Sequence, residues 1–368
     1  MNLIQEYTID TLQEIRRSLV AEFTDAAAGK KTSLAFARHE ISSTGNAEKT
    51  TARIIVIGGS NCVSADGVKT PRGVELSDIH EESLPVFDNS GTFLPYITAH
   101  IPENADLIGL NFAYPMEPVI RDGRLDGRLI KATKEHTFSG VVGHEVGRLL
   151  EEHLLATRGQ KVEITTANDT VCLILSGLEK YHPTGLAGGV IGTGFNFGFF
   201  LDNTTLVNLE SGNFSSFQVT DSCAAIDEGL EDRGKQLWEK EISGAYLYRH
   251  FNFYNDKLKL GLKTIASTVE LDSLADHNSG PAGDLARELL KRSATFAAVQ
   301  IAAIFDYLET DHLNILIEGS LFWKGWKYRK HVSEALASLG VMYQQFSIDH
   351  IDQSSVLGGA LLALGKEA

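Results

Sequence analysis

The sequence predicts an α/β protein of two lobes, and three observations carry that reading. Apolar runs that look like buried strands alternate with helical stretches along the whole chain. Several of the strands end in glycine turns, beginning with ARIIVIGG at 52–59. The length, 368 residues, is enough for two domains and a sizeable core. No tandem repeat of solenoid length and no low-complexity tract interrupts the pattern.

Taken in order, residues 1–30 read as an amphipathic helix with Ile4, Leu12, Ile15 and Leu19 on one face, then a basic, alanine-rich loop. ADLIGLNFAYP gives a strand ending before Pro115, and GHEVGRLLEEHLLATRG a helix stopping near Gly159. EITTANDTVCLIL, residues 163–175, runs from strand into the polar triplet Asn168-Asp169-Thr170 and then into a helix. GGVIGTGFNFGFF and TTLVNLESGNF form a glycine-rich strand pair. Beyond Gln236 the chain is mainly helical, with a late strand NILIEGS and a glycine-rich end SSVLGGALLALG.

Composition narrows the function. A hydrophobic fraction of 43% and a charged fraction of 22% are those of an ordinary globular protein. A net charge of −15 argues against nonspecific nucleic-acid or acidic-membrane binding, which need basic patches. It leaves anionic ligands open, since backbone amides hold phosphate without lysine. Cys62, Cys172 and Cys223 lie far apart, which is neither a disulfide framework nor a zinc ribbon. The first residues lack the apolar core of a signal peptide, and no run approaches the ~18 apolar residues of a membrane span. A cytoplasmic location is expected.

Several motifs fail. GHEVGR has Arg148 where a zincin needs its second histidine, AAAGKK has Thr24 where a Walker A loop needs glycine, and GTGFNFG has the wrong spacing for a dinucleotide fingerprint. Four glycine turns after strands remain: Gly58-Gly59-Ser60-Asn61, Gly192-Thr193-Gly194, Gly319-Ser320 and Gly358-Gly359. One alone is a turn; four in one α/β chain suggest a phosphate cradle. Glu210 and Glu239, taken with Thr133, Lys134, Asn168, Asp169 and Asn196, offer the fixed acceptors and donors that suit a polyol.

Those segments, in this order, resemble a hexokinase of the sugar-kinase branch of the actin-like ATPase superfamily. ARIIVIGGSN is similar to the family's first phosphate loop, GRLIKATKEHTFSG to its Thr-Lys sugar loop, and ANDTV to its catalytic Asn-Asp. GGVIGTGFN resembles the second phosphate loop, VNLESGNF the sugar-binding strand, and GKQLWEKEISGAYL the helix with a second sugar-binding glutamate. ILIEGSLF and SSVLGGALLALG resemble nucleotide-binding elements.

The resemblance implies a two-lobed actin-like ATPase (ribonuclease H-like) fold of hexokinase type, with a cleft between the lobes. It implies a small lobe of 52–168 plus 356–368 and a large lobe of 1–51 plus 169–355. It also implies ATP-dependent phosphorylation of a glucose-like hexose at its primary 6-hydroxyl, a step of glycolysis, with Asp169 as general base and Lys134 assisting. Thr133, Lys134, Asn168, Asp169, Asn196, Glu210 and Glu239 are then the sugar ligands. Gly58, Gly59, Ser60, Asn61, Gly192, Thr193, Gly194, Gly319, Ser320, Ser355 and Gly358 are the phosphate and nucleotide contacts. Mg2+ is implied with ATP, held by Asp169 through water. Small molecules are the only partners implied.

Three positions depart from the family: Val56 replaces an aspartate of the first phosphate loop, Ala113 a sugar-contacting serine, and Glu318 an aspartate. Val56 and Ala113 keep open an alternative, a sugar-binding sensor with little or no catalysis. A sugar-free actin-like ATPase module leaves the Thr133-Lys134 loop and both glutamates unexplained.

Overall fold

A computed structural model describes Ile4 and residues 7–41, 49–132 and 136–365. In chain order the strands are β1 (Ala37–Glu40), β2 (Thr51–Ile57), β3 (Asn61–Thr70), β4 (Gly73–Ser83), β5 (Leu107–Phe112), β6 (Met116–Arg121) and β7 (Arg124–Leu129). They continue with β8 (Glu163–Ala167), β9 (Leu186–Ile191), β10 (Phe195–Phe200), β11 (Thr205–Asn208), β12 (Leu313–Glu318) and β13 (Phe346–Asp349). Among the described residues they form three sheets, ordered β1-β11-β10-β9-β12-β13, β4-β3-β2-β5-β8 and β6-β7.

The chain divides into two compact units. Unit 1 is Met1–Phe36, Ala187–Phe197 and Leu209–His350; unit 2 is Ala37–Leu186, Gly198–Asn208 and Ile351–Ala368. Residues 169–186 and 198–208 thus group with 37–168, a different division from the lobes that the resemblance implies.

Unit 2 is built on the five-stranded sheet. β2, β5 and β8 run parallel, with β3 and β4 added antiparallel. Side chains alternate across the sheet, so each strand feeds two cores. Ile55, Ile57, Ile108, Leu110 and Phe112 pack on one face with Phe93, Ile97, Leu150 and Leu154 of the helices Ser90–Ala99 and Val146–Arg158. The second of these helices ends at Gly159 in a left-handed conformation, as the sequence predicts. Ile54, Val56 and Leu107 pack on the other face with Val356, Ala360 and Leu364 of the C-terminal helix Ser354–Leu364.

That helix corrects one expectation. Gly358-Gly359 is not a turn after a strand; both residues lie inside the helix. A Cβ on Gly358 would fall 1.8 Å from the Cys172 carbonyl oxygen, and one on Gly109 would fall 2.0 Å from that of Gly359. The glycines therefore let the C-terminal helix touch both the sheet and the helix Asp169–Ser176 backbone to backbone.

Unit 1 is mainly helical. Its axis is the helix Pro281–Leu308, which starts with proline at its first turn and is buried along most of its length. The amphipathic helix Ile9–Ala27 packs its Leu12, Ile15, Leu19 and Phe23 side into the core. The expected glycine-rich pair of strands is three, because the Gly192–Gly194 turn splits the first run into β9 and β10 while the second holds β11, and the Asp202 turn joins β10 to β11.

Candidate active site

The residues singled out in the sequence fall into two groups, one in each unit. In unit 2, β8 ends at Ala167 and the polar triplet begins a helix. Asn168 is extended and buried, and its Oδ1 accepts a 3.0 Å hydrogen bond from the Val171 amide, a helix N-cap. Asp169 is the first helical residue and half-buried; its Oδ1 accepts from the Thr170 amide at 2.8 Å. Strand end and helix start coincide where open α/β sheets hold their ligands.

Two further structures flank it. Gly58-Asn61 connects β2 to β3: the Gly58 amide donates to the Asn61 carbonyl at 2.9 Å, and Gly59 and Ser60 are exposed. The Asn61 side chain donates to Glu81 across β3 and β4. Ser355 lies in the first turn of the C-terminal helix, and its carbonyl accepts from Asn111 Nδ2 at 3.2 Å. Val56, where the family carries aspartate, is 8% exposed and packed in the core.

In unit 1 the glycines expected in the phosphate loops pack against each other. Gly192-Thr193-Gly194 turns β9 into β10, closed by a 3.0 Å bond from the Gly192 amide to the Gly194 carbonyl. Gly319 has φ +113°, and a Cβ there would meet the Ile191 carbonyl oxygen at 2.2 Å, so only glycine fits. A Cβ on Gly192 would lie 3.2 Å from Gly319 Cα. Beside this contact a cavity of about 380 Å³ is lined by Gly192, Thr193, Gly244, Thr268, Asp272, Ser320 and Lys324 among others. Asp272 accepts from the Trp326 amide at 2.5 Å, and burial raises its pKa from the ordinary value.

Next to the loops, Asn196 Oδ1 accepts from the Ser211 amide at 3.0 Å and from the Phe197 amide at 2.8 Å, tying β10 to the segment after β11. Glu210, immediately before Ser211, has φ 50°, a left-handed conformation unusual for a glutamate. Such strain clusters at functional sites. Glu239 lies in the first turn of the helix Leu237–Ile242, and its Oε2 accepts from the Phe195 amide at 2.9 Å. A Cβ on Gly194 would come 3.2 Å from that oxygen, and one on Gly212 3.0 Å from Glu239 Cβ.

The helix that presents Glu239 is fixed by charges the sequence reading missed. Lys240 is fully buried and bonded to Asp227 at 2.8 Å and Asp232 at 2.9 Å. Burial opposes its charge, but the two carboxylates outweigh that and hold its pKa above the ordinary value. Glu241, also fully buried, accepts from the Thr220 amide at 2.7 Å and faces Arg292 at 3.6 Å; burial pushes its pKa up. His250 closes the network on Lys240 O and Arg292. No spacing rule marks these partners, which lie 8–51 residues from Lys240 or Glu241. Thr133 and Lys134 lie outside the described residues.

Known proteins place this architecture. Two models of the hexokinase family match residues 96–178 and 262–365. Hexokinase-1 of Spinacia oleracea is 25% identical over 327 residues, covering 71% of this chain and 64% of its own. The solved hexokinase of Schistosoma mansoni, complexed with glucose, superposes with a TM-score of 0.76 at 18% identity, covering 98% of this chain and 96% of that one. A ROK family glucokinase from Streptomyces griseus, in complex with glucose and AMPPNP, gives 0.54 at 14% identity over 85% and 99%. The fold is thus the two-lobed α/β class of the sugar kinases, as the resemblance implies. Within that class the chain belongs to the hexokinase family. It spans less than two thirds of the length of the spinach relative.

Proposed function

We propose that this protein transfers the terminal phosphoryl group of ATP to the primary 6-hydroxyl of a glucose-like hexose. The observation that carries the proposal is the packing in unit 1 of three elements far apart in sequence. The Gly192–Gly194 turn touches Gly319 on one side and the Glu239 carboxylate on the other, beside a cavity of nucleoside size. Phosphate cradle, donor pocket and polyol ligand are thereby adjacent. That the matched glucokinase binds glucose and AMPPNP supports the same assignment.

In this reading Asn196, Glu210 and Glu239 orient the hexose hydroxyls, with Thr133, Lys134 and Asn168 completing the set. The bonds from Glu239 and Asn196 to backbone amides hold those side chains in place before substrate arrives. Asp169 accepts the proton of the attacking hydroxyl, work typical of ~10²–10⁴-fold in rate. The amides of Gly58–Asn61 and Gly192–Gly194, with Ser320 and Ser355, meet the phosphates. Phosphoryl transfer is chiefly positioning and charge stabilisation.

Magnesium fits as a hydrated ion. Among the described residues no three His, Cys, Asp or Glu side chains converge. Mg2+ normally keeps several waters and takes few protein ligands. Asp169 would hold it through water, and Asn111 Oδ1 is a buried oxygen of the same sheet end without a partner among the described residues. Bound there, the ion neutralises charge on the phosphates.

The test is ADP formation from Mg-ATP against a panel of hexoses and aminohexoses, with Asp169→Ala alongside. Hexose-dependent turnover that falls ~10²-fold or more in the variant supports the proposal. A hexose that raises the melting temperature without ADP release would replace the kinase with a sensor.

A further inference from the structure

Among the described residues, Asn111 and Thr166 are the side chains of β5 and β8 with an unpartnered polar atom, and their register puts them on opposite faces of the sheet. Asn111 lies in β5, fully buried, and β-sheet register places it between Val56 of β2 and Ala167 of β8. Its neighbours on the strand, Leu110 and Phe112, point into the opposite core, so Asn111 shares the face of Val56 and the C-terminal helix. Nδ2 donates to Ser355 O, but among the described residues Oδ1 has no hydrogen-bond donor. A buried acceptor left unpaired is costly and rare, and a specific case calls for a donor. Two residues beyond Ala167 stands Asp169.

Cross-strand position makes the point sharper. Val56, which departs from the resembled family's aspartate, is the register partner of Asn111. The carboxylate is lost from β2, and a carbonyl oxygen stands beside its place on β5. We propose that Asn111 Oδ1 accepts a hydrogen bond from a water of the hydrated divalent cation, taking over the positioning role that Val56 cannot fill. An amide oxygen is a neutral acceptor, so it orients the water with less attraction than a carboxylate. This makes Asn111 a positioning residue, and it rests on the kinase reading above.

The test measures Mn2+ affinity by electron paramagnetic resonance with ADP present, in wild type, Asn111→Leu and Asn111→Asp. Water-bridging partners of a metal are worth ~10–100-fold in affinity. Asn111→Leu is expected to weaken Mn2+ by ~10-fold or more, and Asn111→Asp to tighten it. Melting curves without metal check folding; if Asn111→Leu fails to fold, the isosteric Asn111→Asp still decides. Unchanged Mn2+ affinity in both variants would overturn the inference and leave the kinase reading intact, with Asn111 serving a structural water only. If wild type binds neither ADP nor Mn2+, both fail.

Discussion

The two groups of site residues are held in different ways. In unit 1 the proposed sugar ligands are spent on the protein itself: Glu239 bonds the Phe195 amide, Asn196 bonds Ser211, and buried Lys240 and Glu241 lock the helix beneath. In unit 2 the positions are set by backbone contact, with helix starts at Asp169 and Ser354 brought together by glycine. There, among the described residues, Asp169 makes only local bonds and Asn111 keeps an open acceptor. Side chains that also brace the fold couple stability to binding. Side chains placed by backbone leave the chemistry separable.

The largest break of that comparison is in the backbone contact of unit 2. Gly358→Val would drive a branched side chain into the Cys172 carbonyl, between two helices with no flexible neighbour to yield. Overpacking of this kind costs ~1–3 kcal/mol and more where backbone must move. The expected outcome is loss of cooperative melting, read by circular dichroism, with Gly358→Ala milder in the same direction. A Gly358→Val variant that melts like wild type would show that the contact is not what sets the two helix starts.

Acid separates the units next. Burial lowers the His39 pKa in β1 to about 4 and that of His250 to about 3, with the Arg292 charge a second cause for His250. Both are neutral when folded. In the unfolded chain each binds a proton near pH 6.5, so the unfolded state holds more protons between the two values. Stability is full above about 6.5 and is lost as pH falls toward the folded pKa. For His39 the difference amounts to ~3 kcal/mol between pH 6.5 and 4. His39→Gln should flatten the fall of melting temperature over that window, a simple titration of Tm.

How far the sequence showed this follows from the range of each signal. Strand β2, its Gly58 turn, the Asn168 helix start and the Gly159 stop are local patterns, and each lies where the residues predict. Gly358-Gly359 misled because glycine serves turns and close helix packing alike; only Cys172 and Gly109, far off in sequence, distinguish them. The hairpin β3–β4 carries mixed polar residues with exposed faces and no clean alternation, so nothing marked it. Lys240 reads as a surface lysine until Asp227 and Asp232 are seen to enclose it.

The smallest effect sharpens the comparison most. Asn168→Asp and Glu239→Gln are isosteric, one from each unit. Aspartate caps a helix as well as asparagine and suits the positive helix start, so Asn168→Asp should change stability by less than ~0.5 kcal/mol. It removes the amide donor and adds charge beside Asp169, so its cost should fall on the hexose KM. Glu239→Gln keeps an oxygen for the Phe195 amide but weakens a charge-assisted bond, so it should lose ~1 kcal/mol of stability and also raise that KM. Urea melts and hexose titrations on both variants give the four numbers. Equal stability losses in the two would mean that Asn168 braces its unit as Glu239 does, and that the separation of chemistry from scaffold in unit 2 is not real.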